Sequence, residues 1–233
     1  MSFQFEQGEI LLVNKPYTWT SFDVVGKIRS LLRSTLGIRK IKIGHAGTLD
    51  PLASGLLIIC TGKFTKRIDE FQGLEKEYAG TFSLGTTTPS FDRETEADKT
   101  FSLDAITEAR ILQAAEHFTG TFDQIPPAFS AMKIDGKRAY DYARKEIEIN
   151  IKPRKVTISL FEITAIRLPE VDFRVVCSKG TYIRSLARDM GLYLECGAHL
   201  ASLCRTRIGS YFLRDAWEID ALHARLVESA GEK

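Results

Sequence analysis

The sequence predicts a protein of mixed α and β structure. Residues 171–177 alternate between apolar and polar side chains over most of their length, which is typical of a strand with one buried face. Residues 21–32 instead repeat apolar side chains at helical spacing. The stripe that they form consists of Phe22, Val25, Ile28 and Leu32. With 233 residues and 44% apolar content, the chain is long enough to bury a full core, and we interpret it as one large domain with insertions.

The individual elements follow from local patterns taken in chain order. Strands are predicted at Glu9–Val13, Leu56–Cys60, Glu77–Leu84, Lys155–Ile166 and Val171–Cys177. Helices are predicted at Ser21–Leu32 with Thr20 or Ser21 as the N-cap, at Leu103–Phe118 with Ser102 as the N-cap, at Thr181–Leu194 and at Ile219–Ser229. The segment Thr86–Thr100 is polar without an apolar period, so we expect a surface excursion there.

Charge is segregated along the chain, although the net charge is only +2. Residues 31–67 hold seven basic residues and one acidic residue, whereas residues 91–117 hold three basic and seven acidic residues. This asymmetry argues against a uniformly basic nucleic-acid coat and suggests one face for an anionic partner. The four cysteines and four histidines show no metal-ligand spacing, so neither a metal site nor a disulfide framework is expected. Without a leader or an apolar run of membrane-spanning length, we expect a reduced, cytoplasmic setting.

Asp50 is the only carboxylate between Asp23 and Asp69, a stretch that contains nine Lys and Arg residues. Glycines bend the chain around it, Pro51 fixes the backbone after it, and a buried strand follows. An Asp-Pro pair is often only a turn. A lone ionised carboxylate in a basic stretch is better explained as a reactive group that faces a polyanionic substrate.

The segment Gly44-His45-Ala46-Gly47-Thr48-Leu49-Asp50-Pro51-Leu52-Ala53-Ser54-Gly55-Leu56 resembles the catalytic motif of the bacterial tRNA pseudouridine synthase B (TruB) family. Five further motifs of that family occur in the same order, and the resemblance extends from about residue 8 to about residue 215. They are Glu9–Pro16 followed by Thr20-Ser21, Lys76-Glu77-Tyr78, Ile125–Lys133, Ser178–Leu186 and Leu203-Cys204-Arg205-Thr206.

The resemblance implies an α+β pseudouridine synthase fold, in which a mixed, mostly antiparallel central sheet is flanked by helices and loops. It also implies an inserted, thumb-like RNA-binding lobe at about residues 119–152. Longer members of the family continue into a C-terminal PUA-like domain, which we do not expect in this chain. The implied activity is isomerisation of uridine 55 in the T loop of tRNA to pseudouridine. The resemblance further implies that the T stem-loop is the RNA partner, and it implies neither membrane association nor a protein partner. No cofactor is implied.

Roles for individual residues are carried over from the matching motifs. Asp50 would act at the ribose, either as a nucleophile at C1′ or as a base that removes the C2′ proton, and the sequence leaves both roles open. Arg184 would pair with Asp50, and Tyr78 would stack on the flipped base and could transfer a proton. His45 would fill the position that the flipped uridine vacates. The remaining residues of the expected pocket are Tyr182, Leu203 and Lys63, the last either at RNA phosphate or in support of the active site.

Residues 133–155 carry eight basic and four acidic residues. They fit either an ordinary solvated helix or an RNA-binding lobe. Tyr140 and Tyr142 interleave with basic residues, which favours the second interpretation, since aromatic and cationic side chains together suit unpaired bases. The candidate RNA-contacting residues of this lobe are Arg138, Arg144 and Lys145. Three other functions stay open: a guide-RNA-dependent synthase, a uracil-excising hydrolase and a noncatalytic RNA-binding or tRNA chaperone module.

Overall fold

The computed structural model describes residues 3–129 and 151–231, together with the backbone of residues 133–134 and 137–138. The chain forms two compact units. The first unit comprises residues 1–78 and 204–233, and the second comprises residues 79–203. Within the described residues, no helix is long and apolar enough to cross a membrane.

Thirteen strands and five α-helices are present in the described part of the chain. The strands are β1 Ile10–Lys15, β2 Ile43–His45, β3 Ala53–Thr61, β4 Lys76–Leu84, β5 Thr86–Thr87, β6 Lys99–Thr100, β7 Gly120–Gln124, β8 Lys133–Ile134, β9 Lys137–Arg138, β10 Arg154–Arg167, β11 Glu170–Cys177, β12 Ala198–Ile208 and β13 Tyr211–Phe212. The helices are α1 Ser21–Leu36, α2 Ile68–Gly73, α3 Glu108–His117, α4 Ile183–Tyr193 and α5 Ile219–Gly231. Short 3₁₀ helices occupy Gly62–Arg67 and Leu213–Asp215.

The first unit is organised around β3. Its strand order is β1-β3-β12, with β2 added to β3 and β13 added to β12. β1 pairs with β3 in antiparallel register from Ile10 opposite Cys60 to Lys15 opposite Gly55. Both faces of β3 are covered: Leu57 and Ile59 pack in a cluster with residues of α1 and α5, and Leu56 and Ile58 pack in a second cluster. Burial on both sides explains why β3 has a continuous apolar sequence instead of an alternating one.

The second unit contains the strand order β12-β4-β11-β10-β7. β10 pairs antiparallel with both β11 and β7. Phe82 of β4 stacks on Phe173 of β11, with ring centroids 4.1 Å apart, and Phe161 of β10 meets Phe82 edge-on. The buried side of α4 consists largely of apolar residues, including Leu186, Ala187 and Met190. The first turn of α4 is therefore held firmly, and it carries Arg184.

The predicted strands and helices are present, and the mixed α and β organisation with a mostly antiparallel sheet is confirmed. α1 begins as predicted, because Thr20 and Asp23 form a reciprocal capping box. The predicted start of α3 is wrong: Ser102 accepts from the Asp104 N–H in a separate turn, and Thr107 is the true N-cap. Eight short or unforeseen strands and one helix were not predicted from the sequence, namely β2, β5, β6, β7, β8, β9, β12, β13 and α2.

The interpretation of Thr86–Thr100 as a surface excursion is wrong for its central residues. Thr88, Ser90 and Asp92 are buried, although none of them is apolar. Their polar groups bond to one another: the Ser90 hydroxyl donates to the Asp92 carboxylate at 2.6 Å, and the Thr88 hydroxyl donates to the Asp92 carbonyl at 2.6 Å. Hydrogen bonding offsets the cost of burying such groups, and a search for apolar periodicity does not detect it.

Half of the residues of the predicted RNA-binding lobe lie outside the described residues. Within the range of the lobe, residues 120–124 form β7, which pairs with β10 in the sheet. The backbones of β8 and β9 pair with each other. Arg144, Lys145 and the side chain of Arg138 lie outside the described residues. The lobe and the single-domain organisation without a PUA-like domain stay predictions.

Candidate active site

Asp50 lies in the loop between β2 and β3 and is half-buried. Gly47 takes a positive φ of +96°, a conformation that favours glycine, and so allows the chain to turn after β2. The Ala53 N–H donates to the Asp50 carbonyl at 3.0 Å, and the Thr18 N–H donates to the Pro51 carbonyl at 2.9 Å. Main-chain bonds thus fix the segment that immediately follows the carboxylate.

Lys15 holds the same loop from the end of β1. Its side chain is fully buried, and its ammonium group donates to the carbonyls of Trp19 at 2.6 Å, Pro16 at 3.0 Å and Pro51 at 3.4 Å. Burial lowers the pKa of Lys15 to about 8, although the nearby Asp50 carboxylate opposes the shift. The buried ammonium group thus holds the two carbonyls that flank the Tyr17-Thr18 turn, together with the Pro51 carbonyl.

Ser21 holds the residue that precedes Asp50. The Ser21 hydroxyl accepts from the Leu49 N–H at 2.9 Å and donates to the Leu49 carbonyl at 3.3 Å. Ser21 is buried in the first turn of α1, next to the N-cap Thr20. The Thr-Ser pair of the motif therefore has two separate tasks, since Thr20 begins the helix and Ser21 fixes the loop.

Arg205 of β12 completes the set of side chains that hold the loop. It is almost fully buried, and it donates through Nε to the Leu56 carbonyl at 2.8 Å and through Nη2 to the Gly47 carbonyl at 3.1 Å. β12 approaches β3 closely here, because a Cβ atom on Gly55 would lie 2.4 Å from the Arg205 carbonyl oxygen. Gly55 also has a positive φ of +106°, so this position favours glycine for two reasons.

His45 ends β2, five residues before Asp50 in the sequence. Phe22, an exposed side chain of α1, meets the His45 ring edge-on with centroids 5.4 Å apart. Burial and the nearby Arg205 guanidinium lower the pKa of His45, while the Gly47 backbone acts weakly in the opposite direction. The ring is therefore neutral at neutral pH. Its Nδ1 atom is buried and has no hydrogen-bond partner among the described residues.

Tyr78 and Lys63 are the other predicted site residues of the first unit. Tyr78 is half-buried in β4, and Lys63 is exposed in the 3₁₀ helix that follows β3. Lys76 precedes Tyr78 by two residues and is buried. Its ammonium group donates to the carbonyls of Gln72 and Leu74 at 2.6 Å each. The Lys-Glu-Tyr motif thus ties the start of β4 to the end of α2.

Arg184, in the first turn of α4, is buried in the second unit together with Asp92. Its Nε lies 3.6 Å from an Asp92 carboxylate oxygen, and its two terminal nitrogens donate to the carbonyls of Ser90 at 3.2 Å and Phe129 at 2.8 Å. The sequence prediction missed Asp92. Asp92 lies in an acidic, polar segment, and a solvated loop has the same composition, so the sequence did not distinguish the two.

Tyr182 and Leu203 are the remaining predicted residues of the second unit, and both are half-buried. Gln124, at the end of β7, forms a pair of bonds with the backbone of Tyr182: it accepts from the Tyr182 N–H at 2.8 Å and donates to the Tyr182 carbonyl at 3.1 Å. Ser185 donates to the Ile125 carbonyl at 2.8 Å. The start of α4 is therefore bonded to residues 124 and 125, which lie within the range of the predicted lobe.

Comparisons with known proteins identify the family. Residues 33–183 match the model of the TruB family pseudouridylate synthase N-terminal domain, and residues 184–232 match that of the tRNA pseudouridylate synthase B C-terminal domain. The chain belongs to the TruB family of pseudouridylate synthases. The expected family and enzyme class, an isomerase, are thereby confirmed.

Individual relatives agree with this assignment. The chain is 56% identical to the tRNA pseudouridine synthase B of Flavobacterium johnsoniae over 93% of this chain and 95% of that protein. It is 54% identical to that of Phocaeicola vulgatus over 93% of this chain and 92% of that protein, and 44% identical to that of Chloroherpeton thalassium over 96% and 92%.

Solved structures support the fold. A chain of a Cbf5-Nop10-Gar1 complex superposes with a TM-score of 0.73 at 27% identity and covers 97% of this chain. A chain of an H/ACA ribonucleoprotein bound to a substrate RNA superposes with a TM-score of 0.69 at 25% identity. The present chain spans about 60% of the first of these chains and 59% of the second. The predicted pseudouridine synthase fold is confirmed.

Proposed function

We propose that this protein isomerises uridine 55 in the T loop of tRNA to pseudouridine, with Asp50 as the reacting carboxylate. One observation carries the proposal: buried side chains of Lys15, Ser21 and Arg205 fix the backbone on both sides of Asp50. A carboxylate that must meet one sugar atom needs such fixed geometry, because a displacement of about 1 Å can cost about 100-fold in rate. An ordinary surface turn has no need of three buried polar side chains.

The reaction breaks the bond between ribose C1′ and uracil N1, rotates the base and joins the same sugar carbon to uracil C5. Asp50 either attacks C1′ or removes the C2′ proton, and in both cases it acts as an ionised carboxylate next to the sugar. Rearomatisation then moves the C5 proton away, and Tyr78 is our candidate for that transfer and for stacking on the base. The reaction rearranges one nucleotide and needs neither an electron acceptor nor a group donor.

The other residues would position the substrate. His45 would occupy the gap in the RNA stack that the flipped uridine leaves, and its lowered pKa supports this role because a neutral ring stacks without a desolvation cost for charge. Arg184 would orient Asp50, Tyr182 and Leu203 would line the base pocket, and Lys63 would meet RNA phosphate.

The substrate determinants are proposed to lie in the T stem-loop, with the lobe residues Arg138, Arg144 and Lys145 at its phosphates. We further propose that the enzyme acts in the cytoplasm without a protein partner. The names of the curated relatives support tRNA as the RNA class.

The central experiment compares Asp50→Asn with wild type on an unmodified tRNA transcript and on a T-arm hairpin. The amide keeps the shape of the side chain but can neither attack nor accept a proton, so pseudouridine formation should fall below detection while RNA affinity stays nearly unchanged. Asp69→Asn, which neutralises an exposed carboxylate of α2, is the matched control and should remain fully active. Turnover by Asp50→Asn at a tenth of the wild-type rate would exclude Asp50 from the chemistry.

The same assay separates the remaining functions. A guide-RNA-dependent synthase is the second candidate, and the similarity to a chain of an H/ACA ribonucleoprotein favours it, because a ribonucleoprotein carries an RNA of its own. Such an enzyme would leave the hairpin unmodified unless a guide RNA were added. A uracil-excising hydrolase would release free uracil, and a noncatalytic RNA-binding module would bind the hairpin without any product.

A further inference from the structure

A basic pocket of about 280 Å³ lies in the first unit beside Gly62. Four lysines line it, namely Lys40, Lys42, Lys63 and Lys66, and Glu6 is the one carboxylate among the lining residues. All four lysine side chains are exposed, and none of them forms an ion pair with a carboxylate in the described part of the chain. Four uncompensated cations around one cavity repel one another unless an anion binds between them.

The walls of this lysine pocket are held by main-chain contacts. The Gly62 N–H donates to the Lys42 carbonyl at 2.9 Å, which joins the segment before β2 to the segment after β3. The buried Thr61 hydroxyl donates to the Phe5 carbonyl at 2.8 Å. A Cβ atom on Gly62 would lie 2.3 Å from the Glu6 carbonyl oxygen, so the N-terminal segment packs directly on this glycine. The pocket is thus formed by the fold itself and does not depend on a ligand to assemble it.

The lysine pocket is connected to the Asp50 loop by a single short strand. β2 begins at Ile43, directly after Lys42, and ends at His45, with Ile43 opposite Thr61 and His45 opposite Ile59. His45 lies three positions after Lys42 along extended chain, a distance of about 10 Å at about 3.3 Å per residue. An RNA strand at His45 can therefore reach the pocket with a phosphate within a few nucleotides.

We propose that the lysine pocket binds one phosphodiester group of the substrate RNA, close to the flipped nucleotide. The proposal rests on the function proposed above and extends it from Lys63 to a set of four converging lysines. A lysine ammonium is a compact point charge that suits phosphate without requiring a planar partner.

The test is the salt dependence of hairpin binding by the variant Lys40→Gln/Lys63→Gln/Lys66→Gln. Each phosphate contact contributes about 0.7 to 0.9 to the slope of log affinity against log salt. The triple variant removes three charges, but we expect the slope to fall only by the contribution of one phosphate contact, about 0.7 to 0.9. The matched control Lys27→Gln/Arg29→Gln/Arg33→Gln removes three exposed charges from α1 and should change the slope less. An unchanged slope in the pocket variant, or an equal change in the control, would overturn the proposal.

A second measurement separates RNA phosphate from a free anion. Inorganic phosphate is added to wild type and to the pocket variant, and the melting temperature is recorded. If the variant loses stabilisation by phosphate and keeps the wild-type salt slope for the hairpin, the pocket is a free-phosphate site and the proposal fails. Product analysis on wild type tests the function independently: a hairpin that is bound with the predicted slopes but not isomerised would overturn the proposed function and leave the lysine pocket in place.

Discussion

The two units of this protein use buried cationic side chains in different ways. In the first unit, Lys15 and Arg205 donate to main-chain carbonyls of the Asp50 loop and its borders. In the second unit, Arg184 meets the buried carboxylate of Asp92 and also binds two carbonyls. The first arrangement fixes the shape of a backbone, whereas the second fixes the position of a charge. We therefore expect that removing a loop-binding cation of the first unit mainly disturbs the geometry of the Asp50 loop, whereas breaking the Arg184–Asp92 pair mainly lowers stability.

The largest effect on stability is expected in the second unit. Asp92→Asn keeps an oxygen that can accept from Ser90 and from the Glu94 N–H, but it removes the negative charge that lies beside Arg184. Breaking a buried ion pair costs about 3 to 5 kcal/mol, and we expect about 3 kcal/mol because Arg184 keeps its carbonyl acceptors. Urea unfolding measures the change. Glu96→Gln, an exposed carboxylate of the same segment, is the control, and a loss no larger than in this control would mean that the pair contributes no stability.

Arg205→Met should lower the free energy of unfolding less than Asp92→Asn does. It should nevertheless reduce turnover more than its loss of stability alone would explain. The substitution keeps an apolar stem but leaves the carbonyls of Leu56 and Gly47 without these donors, at a cost of about 2 kcal/mol in total. The Asp50 loop should become less ordered, so turnover at saturating RNA should fall even where the protein is fully folded. Arg214→Met, on an exposed arginine that stacks on Phe212, is the control. A folded Arg205→Met variant with normal turnover would show that loop geometry does not limit the rate.

The smallest effect is a pH dependence that belongs to Lys15. Its pKa is about 8 in the folded protein and 10.5 in the unfolded chain, so the folded state releases this proton first. The contribution of Lys15 to stability should therefore rise as pH increases from about 8 to about 10.5, by about 1 kcal/mol between pH 7 and pH 9. The measurement is the difference in unfolding free energy between wild type and Lys15→Met across this range.

The exposed Lys27→Met variant should show no such trend relative to wild type. A difference between wild type and Lys15→Met that stays flat with pH would mean that Lys15 remains charged throughout.

Particular elements show what sequence patterns could and could not predict. α1 was predicted because its cap and its apolar stripe lie within about a dozen consecutive residues. The start of α3 was misplaced because Ser102 and Thr107 both resemble N-caps, and only the hydrogen bonds distinguish them. Asp92 was missed for a related reason, since a buried carboxylate and a solvated one have the same local sequence. Its burial depends on Arg184, 92 residues further along the chain.

The family, the mixed α and β composition and Asp50 as the candidate reactive group could all be inferred from the sequence, because motif, periodicity and charge are properties of neighbouring residues. The way in which the Asp50 loop is held could not be inferred in this manner. Lys15, Ser21 and Arg205 were part of recognised motifs, but their bonds to Pro51, Leu49 and Gly47 join segments that are far apart in the chain. The physical reason is that a side chain hydrogen-bonds to whatever carbonyl the fold brings within about 3 Å, and a backbone carbonyl carries no signature of its own in the sequence.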